Sequence, residues 1–472
     1  MIILGTNSIK ETGFNVDNSC RFNGDAYVHK AVSAGNQRTF TYSFWTKRST
    51  LNNYDTFIGY AGSAGGGGST ARGELIFVGD GDDTLRVGFN PSASSWSNYT
   101  VSDRVFRDPS AWYNIVLKVN TTSGTEAERL KIFVNGVSQG LSGYPSQNFD
   151  TGFNVNGSVY HIGRSASGTG NFIKGYLAEA VFIDGTALDA DSFGEFDSDS
   201  GIWKPINVSG LTFGNNGFYL DYEDSSALGA DVSGNSNNFT VNNLTAIDQS
   251  TDTCTNNFAT WNNLLGIQIP DSFSEGNLKV ARTSGSWTAT FSTIAASSGK
   301  FYAEVKWVQG GEFTTGFGNA QSYASDQDLN DLVSDPGGGG YLSVIYKNGV
   351  LYENGSNTGT GYSTYSSGDI IMLAMDLDNY KLYLGVNGTW GNSANPATNS
   401  NGVAIPSAYQ GDFFHFAVNV HSSGTTTASG NFGSPEFSIS SGNADGNGYG
   451  NFEYAVPSGY YALNTKNLAE YG

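Results

Sequence analysis

Three aspartates occupy one short segment between two predicted strands. Asp80, Asp82 and Asp83 lie in the sequence Val78-Gly79-Asp80-Gly81-Asp82-Asp83, which is rich in glycine and aspartate. Calcium is held by oxygen ligands, and acidic side chains clustered on a flexible loop supply them. A turn made of glycine and aspartate is equally typical of a solvated loop. The segment therefore predicts either a calcium site or an acidic turn, and both interpretations stay open.

Aromatic residues in predicted loops form a second group with a recognisable binding chemistry. Their flat rings can stack on the apolar face of a sugar ring, while a tyrosine or tryptophan keeps a polar handle for hydrogen bonding. The loop aromatics include Trp96, Tyr99, Tyr144, Tyr323, Tyr362 and Tyr365. Because 14% of the chain is aromatic, most of these rings are expected to pack in the core. We take Trp96, Tyr99, Tyr362 and Tyr365 as the predicted ligand-binding residues.

The sequence contains no constellation typical of a catalytic site. A jelly-roll glycoside hydrolase would carry Glu-x-Asp-x-x-Glu on one strand, so that two carboxylates flank the scissile bond. The nearest approach is Glu195-Phe196-Asp197-Ser198-Asp199-Ser200, which lacks the second glutamate. Four histidines are present without a nucleophile motif or a His-x-x-x-His pair beside them. They are His29, His161, His415 and His421. We therefore predict no catalytic residue and a protein that is not an enzyme.

Composition and charge restrict the partners of the protein. The 472 residues include 23 basic and 43 acidic side chains, a net charge of −20, and no basic run. Phosphate binding depends on clustered lysine and arginine, so a nucleic-acid partner is disfavoured. Cys20 and Cys254 lack the spacing of metal ligands, and two isolated thiols are favoured over a disulfide.

No segment of the sequence predicts export or membrane insertion. The first residues, MIILGTNSIKETG, contain three consecutive large apolar residues after Met1, which is too short for the core of a signal peptide. No stretch approaches the ~18 apolar residues of a membrane-spanning helix. We expect a protein without a signal peptide or a transmembrane segment.

Residues 368–390, GDIIMLAMDLDNYKLYLGVNGTW, predict a β-hairpin in an antiparallel sheet. The apolar run from Ile370 to Met375 is too short for a free-standing helix and suits a strand that is covered on both faces. In the return segment Leu382, Leu384 and Val386 alternate with other residues, as expected of a half-buried strand. Asn387-Gly388 then suits a two-residue turn, because both residues tolerate positive φ.

This hairpin resembles the signature hairpin of SPRY domains, which are bent β-sandwiches used for binding. Two further segments match that family in the expected order. They are Ser298-Gly299-Lys300-Phe301-Tyr302-Ala303-Glu304-Val305, similar to a G-K-x-Y-x-E-V strand, and Gly316-Phe317-Gly318. The closing segment, Pro457-Ser458-Gly459-Tyr460-Tyr461-Ala462-Leu463-Asn464-Thr465, resembles the end of SPRY-type domains in virion proteins of tailed bacteriophages.

The first part of the chain, about residues 14–196, resembles a LamG or concanavalin A-like jelly roll. The matching pieces share an order rather than any one strong motif. They are residues 22–28, 43–47 (SFWTK), 112–116 (WYNIV), 131–136 (KIFVNG), 161–165 (HIGRS) and the closing strand 175–184. Domains of this family often bind calcium at acidic loops, which the resemblance extends to Asp80, Asp82 and Asp83.

We therefore predict an all-β chain made of two antiparallel β-sandwich domains and an irregular bridge. The predicted division gives residues 1–205 to the LamG-like jelly roll, 206–260 to a bridging segment rich in Asn, Ser and Thr, and 261–472 to the SPRY-like sandwich. Many glycines and few amphipathic helical patterns fit this fold class. The bridge is expected to pack on its neighbours without a core of its own.

The two resemblances together imply a structural and adhesive protein of a tailed-phage virion, such as a fibre, a spike or a capsid decoration protein. Its expected partners are other virion proteins and a host-surface glycan or receptor, and its expected location is the virion surface. Two alternatives remain, a polysaccharide-degrading depolymerase and a purely structural virion protein. Oligomerisation, with the trimer common among fibres, also stays open, since no heptad repeat specifies it.

Overall fold

The computed structural model of the protein describes residues 12–62, 72–90, 98–166, 170–265, 269–285, 287–319, 343–354, 356–359, 361–421 and 424–472. The chain separates into two compact units, an N-terminal unit of residues 12–255 and a C-terminal unit that begins at Asn256 and ends at Gly472. Both are built almost wholly from antiparallel strands, so the predicted fold class is confirmed. Within the described ranges, no helix combines the length and the apolar character needed to cross a membrane.

The N-terminal unit contains seventeen strands among its described residues. They are β1 Ser19–Asn23, β2 Tyr27–Ala31, β3 Thr39–Arg48, β4 Asp55–Ala61, β5 Arg72–Phe77, β6 Thr84–Asn90, β7 Asn98–Val105, β8 Trp112–Asn120, β9 Leu130–Val134, β10 Val137–Ser138, β11 Val159–Ile162, β12 Lys174–Asp184, β13 Gly194–Phe196, β14 Trp203–Pro205, β15 Phe218–Leu220, β16 Thr240–Asn242 and β17 Gln249–Ser250. Short 3-10 helices lie at Glu126–Glu128, Ala190–Ser192 and Ala246–Asp248.

Two sheets face each other in this unit. One has the order β10-β9-β8-β3-β12-β1-β17, with β15 also paired to β12, and the other has the order β16-β2-β11-β4-β5-β6-β7. The core between them is aromatic, because alternate residues of β3, Phe40, Tyr42 and Phe44, all point into it. Trp45 points to the opposite face of the same sheet, where a second buried cluster covers it.

The boundary of this unit differs from the predicted one. Residues 206–260 were expected to form a separate bridge, but residues 206–255 supply three strands to the two sheets. Phe218–Leu220 pairs with β12, Thr240–Asn242 with β2, and Gln249–Ser250 with β1. Their side chains complete the core, since Phe218 and Phe239 pack edge to face within it at 4.8 Å. The segment has no core of its own, and the unit ends at Thr255 instead of residue 205.

The C-terminal unit contains fifteen strands and one α-helix in its described part. They are β18 Ser272–Ser274, β19 Lys279–Arg282, β20 Thr288–Phe291, β21 Lys300–Gln309, β22 Glu312–Asn319, β23 Ser343–Lys347, β24 Val350–Glu353, β25 Ser356–Gly359, β26 Ile370–Asp376, β27 Lys381–Val386, β28 Thr389–Trp390, β29 Val403–Ala404, β30 Phe414–His421, β31 Thr426–Asn431, β32 Tyr461–Ala462 and α1 Thr465–Tyr471. Short 3-10 helices lie at Gly391–Ser393, Pro396–Thr398 and Ser407–Tyr409.

The predicted hairpin lies inside the larger sheet of this unit. That sheet has the order β18-β19-β31-β21-β26-β27-β28, and the smaller one has the order β20-β30-β22-β23-β24-β25. β26 and β27 pair as predicted, and Asn387 and Gly388 take positive φ in the turn that follows. β27 is not half-buried, however, because Tyr383 packs into a second cluster with Tyr302 and Tyr460 on the outer face of the sheet.

Candidate functional site

The acidic segment between β5 and β6 is not a set of three converging carboxylates. Asp83 is buried, and its oxygens accept hydrogen bonds from Arg48 Nη1 at 3.0 Å and Arg107 Nε at 3.3 Å. Asp80 is exposed and accepts a hydrogen bond from the hydroxyl of Tyr54 at 2.6 Å, which raises the pKa of Tyr54. Asp82 is also exposed. Two arginines therefore hold the carboxylate that calcium would need.

No three acidic, histidine or cysteine side chains of the described residues lie close enough together to hold a metal ion. The positive φ of Asp80 and Asp83 belongs to a tight turn between two paired strands. The geometry is that of an ordered acidic turn anchored by arginine. Calcium binding at Asp80, Asp82 and Asp83 stays a prediction that this geometry does not favour.

A pocket of about 250 Å³ opens at one edge of the N-terminal unit. It lies where β6 and β7, at the edge of one sheet, approach β9 near the edge of the other. The lining comes from β6 and β7 of the seven-stranded sheet, from β9 of the facing sheet and from the loop that follows β10. These residues are Val87, Phe89, Tyr99, Thr100, Leu130, Gly143, Tyr144 and Pro145. Most of the lining side chains are therefore apolar or aromatic, as is usual for a small-molecule site.

Two tyrosines of this lining are unusually exposed for aromatic residues. Tyr99 is 55% exposed and Tyr144 is 38% exposed, whereas Val87, Phe89 and Leu130 belong to the buried core. Large aromatic rings are normally buried, so exposed rings beside a pocket point to a ligand surface. Tyr99 was a predicted ligand-binding residue, and Tyr144 was among the loop aromatics. The structure brings these two to the same pocket.

Backbone hydrogen bonds hold the loop that carries Tyr144 against β7. The carbonyl of Gly140 accepts from the amide of Asp103 at 3.1 Å, and the amide of Ser142 donates to the carbonyl of Val101 at 3.1 Å. Arg129 fixes the other end of the loop, since its Nη1 donates to the carbonyl of Pro145 at 3.2 Å. The pocket wall is therefore positioned before any ligand arrives, which lowers the entropy cost of binding.

The chemistry of the pocket suits binding of a neutral ligand. Among the described residues that line it, none carries a charged side chain. Oγ1 of Thr100 accepts a hydrogen bond from the amide of Gly143 at 3.2 Å. The hydroxyl proton of Thr100 has no acceptor in the described part of the chain, so it is available to a ligand. The combination of two exposed rings and one hydroxyl is typical of sugar recognition.

The remaining predicted aromatics are placed elsewhere or not described. Tyr365 is 5% exposed, and its hydroxyl donates to the carbonyls of Phe313 and Tyr346 inside the C-terminal core. Tyr362 is half-buried, with its ring centroid 5.4 Å from that of Tyr346. Trp96 and Tyr323 lie outside the described residues. Buried packing accounts for Tyr365, and Tyr99 is the predicted residue that the structure places at a pocket.

The Glu195–Asp199 segment does not have the geometry of a hydrolytic carboxylate pair. Oε1 of Glu195 and Oδ2 of Asp197 lie 3.3 and 3.4 Å from Nζ of Lys204, so a single ammonium group lies between them. Hydrogen bonds from the amide and the hydroxyl of Ser200 hold the pKa of Asp197 at about 2. Asp197 is thus suited to an ion pair and not to donating a proton to a glycosidic oxygen.

The pocket residues other than Tyr99 and Tyr144 gave no signal in the sequence. Thr100, Gly143 and Pro145 line the pocket because the loop after β10 returns to β7, a pairing between distant parts of the chain. Pro145 and Gly143 mark a loop, but nothing local says which strand that loop contacts. A search for exposed aromatics on two segments that meet in space would have found the pair.

Residues 22–192 match the family model of the concanavalin A-like lectin/glucanases superfamily, Laminin_G_3. The match lies within the N-terminal unit and confirms the predicted LamG or concanavalin A-like character of this domain. It includes β6, β7, β9 and the loop after β10, which form the pocket. The search of curated proteins returns no match to the chain.

Several solved structures are similar to parts of the chain. The SPRY domain of human HERC1 is 18% identical, with 32% of this chain and 87% of that one covered and a TM-score of 0.24. A putative carbohydrate binding protein from Bacteroides ovatus is 17% identical, with 49% and 60% covered and a TM-score of 0.35. Domains LG4-5 of the mouse laminin alpha1 chain are 10% identical, with 86% and 82% covered and a TM-score of 0.29. The SPRY resemblance of the C-terminal unit stays a prediction.

Proposed function

We propose that the protein is a non-enzymatic glycan-binding protein whose N-terminal unit holds a neutral sugar between Tyr99 and Tyr144. The observation that carries this proposal is the pocket of about 250 Å³ whose lining includes two exposed tyrosines, Tyr99 of β7 and Tyr144 of the loop after β10. The pocket lies in a domain that matches a lectin/glucanase superfamily, and its described lining offers no carboxylate pair for hydrolysis. The superfamily match supports a carbohydrate ligand, and the lining without a carboxylate pair favours binding over cleavage.

We further propose that the protein is a surface component of a tailed-phage virion and binds host-surface glycan or other virion proteins. The support is the order of LamG-like and SPRY-like segments, the closing segment similar to phage virion proteins, and a composition with only 14% charged residues. A fibre, a spike and a capsid decoration protein share this description. A depolymerase and a purely structural virion protein are the outcomes that would replace it.

Binding of the purified protein to polysaccharide extracted from candidate host cells tests the first proposal. We expect saturable binding without release of reducing ends. Replacing Tyr99 or Tyr144 by alanine removes a stacking ring, which is worth about 0.5–1.5 kcal/mol, or roughly a two- to tenfold loss of affinity. Tyr380→Ala is the matched control, because Tyr380 is 39% exposed and lies in the C-terminal unit.

Two results would replace the proposal. Release of reducing ends would make the protein a depolymerase. Absence of binding, or equal loss from Tyr380→Ala and Tyr99→Ala, would leave a structural role. The proposed virion location is tested with an antibody against the protein, which should label phage particles purified from a lysate. Absence of label on the particles would contradict that location.

A further inference from the structure

Two histidines lie side by side on the outer face of the seven-stranded sheet. His29 in β2 is the direct cross-strand neighbour of His161 in β11, and their ring centroids are 5.7 Å apart with planes inclined by 17°. The next residues along the two strands, Val28 and Ile162, belong to the core. Since side chains alternate along a strand, the imidazoles point away from that core.

Tyr27 completes a platform of three rings. Its centroid lies 5.7 Å from that of His29 and 5.8 Å from that of His161. Tyr27 and His29 are both half-buried, so one edge of the platform is open to solvent. Adjacent rings of this kind form a surface on which the apolar face of a sugar can lie.

Arg164 caps the platform with a positive charge. Its Cζ lies 4.0 Å from the ring centroid of Tyr27, and its Nη2 lies 3.2 Å from Nε2 of His161. No carboxylate of the described residues pairs with this guanidinium, and its Nε is buried without a hydrogen-bond partner there. In a chain with 43 acidic and 23 basic residues, an arginine that stacks on rings and lacks an anion has unused capacity for one.

His29 supplies a further hydrogen-bond donor in this cluster. Nε2 of His161 accepts from Arg164, whereas Nδ1 of His29 accepts from Nδ2 of Asn242 at 2.9 Å. These contacts place the proton of His29 on Nε2, where no described residue accepts it. The site thus offers a guanidinium and an imidazole N–H to a ligand.

Arg164 and Glu74 are charged residues placed on this face beside the imidazoles. Glu74 lies beyond Gly59 in the register of His161, and its carboxylate accepts a hydrogen bond from the hydroxyl of Ser165 at 3.0 Å. His29 faces Thr240 and His161 faces Gly59 on the neighbouring strands, and Asn242 lies beside Tyr27. Burial first, and then the charge of Arg164, lower the pKa of His29 and bring the pKa of His161 to about 4. Both rings are therefore neutral at pH 7, and a bound anion would favour their protonation.

We propose that Arg164 and His29 bind the carboxylate of an acidic sugar unit whose ring packs against the open edge of the platform, while Nε2 of His161 orients the guanidinium. A guanidinium can bind a carboxylate through two parallel hydrogen bonds, and the N–H of His29 supplies a further donor. This site is separate from the Tyr99–Tyr144 pocket, which has an uncharged lining, and it rests on the proposed function only in taking a sugar as the carrier of the anion.

Calorimetric titration of the full chain with a tetramer of galacturonic acid, with the neutral galactose tetramer and with inorganic phosphate tests this site. We expect the acidic tetramer to bind about tenfold or more tightly than the neutral one, since charged hydrogen bonds are the strong ones. Equal affinity of the two tetramers would overturn the proposal. Phosphate binding as tight as the acidic tetramer would also overturn it, because the site would then recognise a simple anion.

Arg164→Ala should remove the preference for the acidic tetramer. Arg104→Ala is the matched control, because Arg104 also stacks on a ring, that of Phe106 at 5.9 Å, and its loss changes the net charge equally. Equal loss from both variants would show a bulk charge effect and overturn the site. Tyr99→Ala should weaken binding of the neutral tetramer and leave the affinity for the acidic tetramer unchanged, so failure of the pocket and failure of this site give different results.

A spectroscopic measurement on the native protein avoids dependence on variants that fail to fold. The chain has only four histidines, so the imidazole signals can be resolved by nuclear magnetic resonance. The acidic tetramer should shift the signals of His29 and His161 and leave those of His415 and His421 in place. Its affinity should rise as the pH falls from 7.5 to 5.5, because binding takes up a proton. Unmoved signals of His29 and His161 would overturn the proposal.

Discussion

The hydroxyl of Tyr219 donates a hydrogen bond to Oε2 of Glu179 at 2.6 Å in the interior of the N-terminal unit. Glu179 is 7% exposed and adopts a φ of 52° at a bulge of β12. Burial raises the pKa of Glu179 to about 8, the bond from Tyr219 opposes this rise, and the nearby Asp221 and Glu223 add to it. The carboxyl group is therefore largely protonated at neutral pH, and ionising it costs stability.

Glu179→Gln should make the protein less sensitive to rising pH. Between the ordinary pKa of 4.5 and the folded value of about 8, the folded state keeps a proton that the unfolded state releases. Stability of the wild type is therefore lost as the pH rises through this window. Glutamine has no such proton. The free energy of unfolding of the variant should therefore rise relative to that of the wild type by up to about 1.4 kcal/mol per pH unit. Urea denaturation at pH 5 and pH 8 measures the difference.

The control for this experiment is Glu126→Gln, since Glu126 is exposed in a 3-10 helix. Its free energy of unfolding relative to the wild type should be the same at both pH values. The free energy of unfolding of Glu179→Gln relative to the wild type should differ between pH 5 and pH 8. If it is the same at both pH values, the carboxyl group is ionised in the folded protein and the prediction fails.

Asp83→Asn should destabilise the N-terminal unit with or without calcium. Asp83 and Asp55 share the buried guanidinium of Arg48, with oxygen-to-nitrogen distances of 3.0 and 3.4 Å. Asparagine removes the nearer of the two carboxylates and leaves Asp55 as the partner of Arg48, so the loss of a charged, buried hydrogen bond costs about 1.5–3 kcal/mol. Asp82→Asn changes an exposed residue of the same turn and should stay within ±0.5 kcal/mol or so. Thermal unfolding with chelator and with calcium measures both effects.

The calcium hypothesis predicts a different pattern. If Asp80, Asp82 and Asp83 bind calcium, the added ion should raise the melting temperature of the wild type, and Asp82→Asn should abolish that rise. We expect no rise, because both oxygens of Asp83 already accept hydrogen bonds from arginines. A calcium-dependent shift would contradict this expectation and restore the three aspartates as ligands.

The sequence predicted those features whose cause is local. The hairpin of β26 and β27 follows from an apolar run, an alternating strand and Asn387-Gly388, and all of these determinants lie within about twenty residues of one another. β9 follows the same local rule, with Leu130, Ile132 and Val134 in the central core and Phe133 on the opposite face. Alternation with a period of two requires no knowledge of distant segments.

Features that depend on distant pairing were not predictable. Tyr99 and Tyr365 were both predicted to be ligand-binding loop residues, yet Tyr99 is 55% exposed and Tyr365 is 5% exposed. The difference arises because the hydroxyl of Tyr365 donates to the backbone carbonyls of Phe313 and Tyr346, which belong to two strands of the C-terminal unit. The site of Arg164 escaped notice for the same reason, since its ring partner Tyr27 is more than a hundred residues away.

A fragment of residues 12–255 should fold on its own, whereas a fragment of residues 12–205 should not. The longer fragment retains β15, β16 and β17, which pair with β12, β2 and β1. It also retains the buried ion pair of Lys47 and Asp252 at 2.8 Å. Truncation at residue 205 would expose the core and remove the buried carboxylate that pairs with Lys47. Cooperative thermal unfolding of the longer fragment alone is the expected result.

The three short strands explain why sequence reasoning placed the boundary early. Each has two or three residues, too few to show a periodic pattern, and polar residues surround them. Asp231 stabilises the turn between two of them, since its carboxylate accepts from the amides of Tyr219, Ser233 and Asn237. If the fragment of residues 12–205 also unfolds cooperatively, the bridge is an appendage and the predicted three-part division is correct.

Glu304→Gln should destabilise the C-terminal unit. Glu304 occupies the acidic position of the Gly-Lys-x-Tyr-x-Glu-Val segment and is fully buried. Its carboxylate accepts hydrogen bonds from the amides of Tyr454 and Glu453 at 2.8 and 3.0 Å, from Nδ2 of Asn431 at 3.1 Å and from the hydroxyl of Tyr302 at 3.0 Å. Four donors thus converge on two oxygens, which explains a glutamate at this position of β21.

Glutamine would turn one of those oxygens into a donor that faces other donors. At least one buried N–H group would then lose its acceptor, at a cost of about 1–3 kcal/mol. Glu312→Gln provides the control, because the side chain of Glu312 is 53% exposed and its ion pair with Lys347 lies at the surface. The melting temperature should fall for Glu304→Gln and stay nearly constant for Glu312→Gln. Equal behaviour of the two variants would mean that the amide is tolerated and that the four contacts do not require a carboxylate.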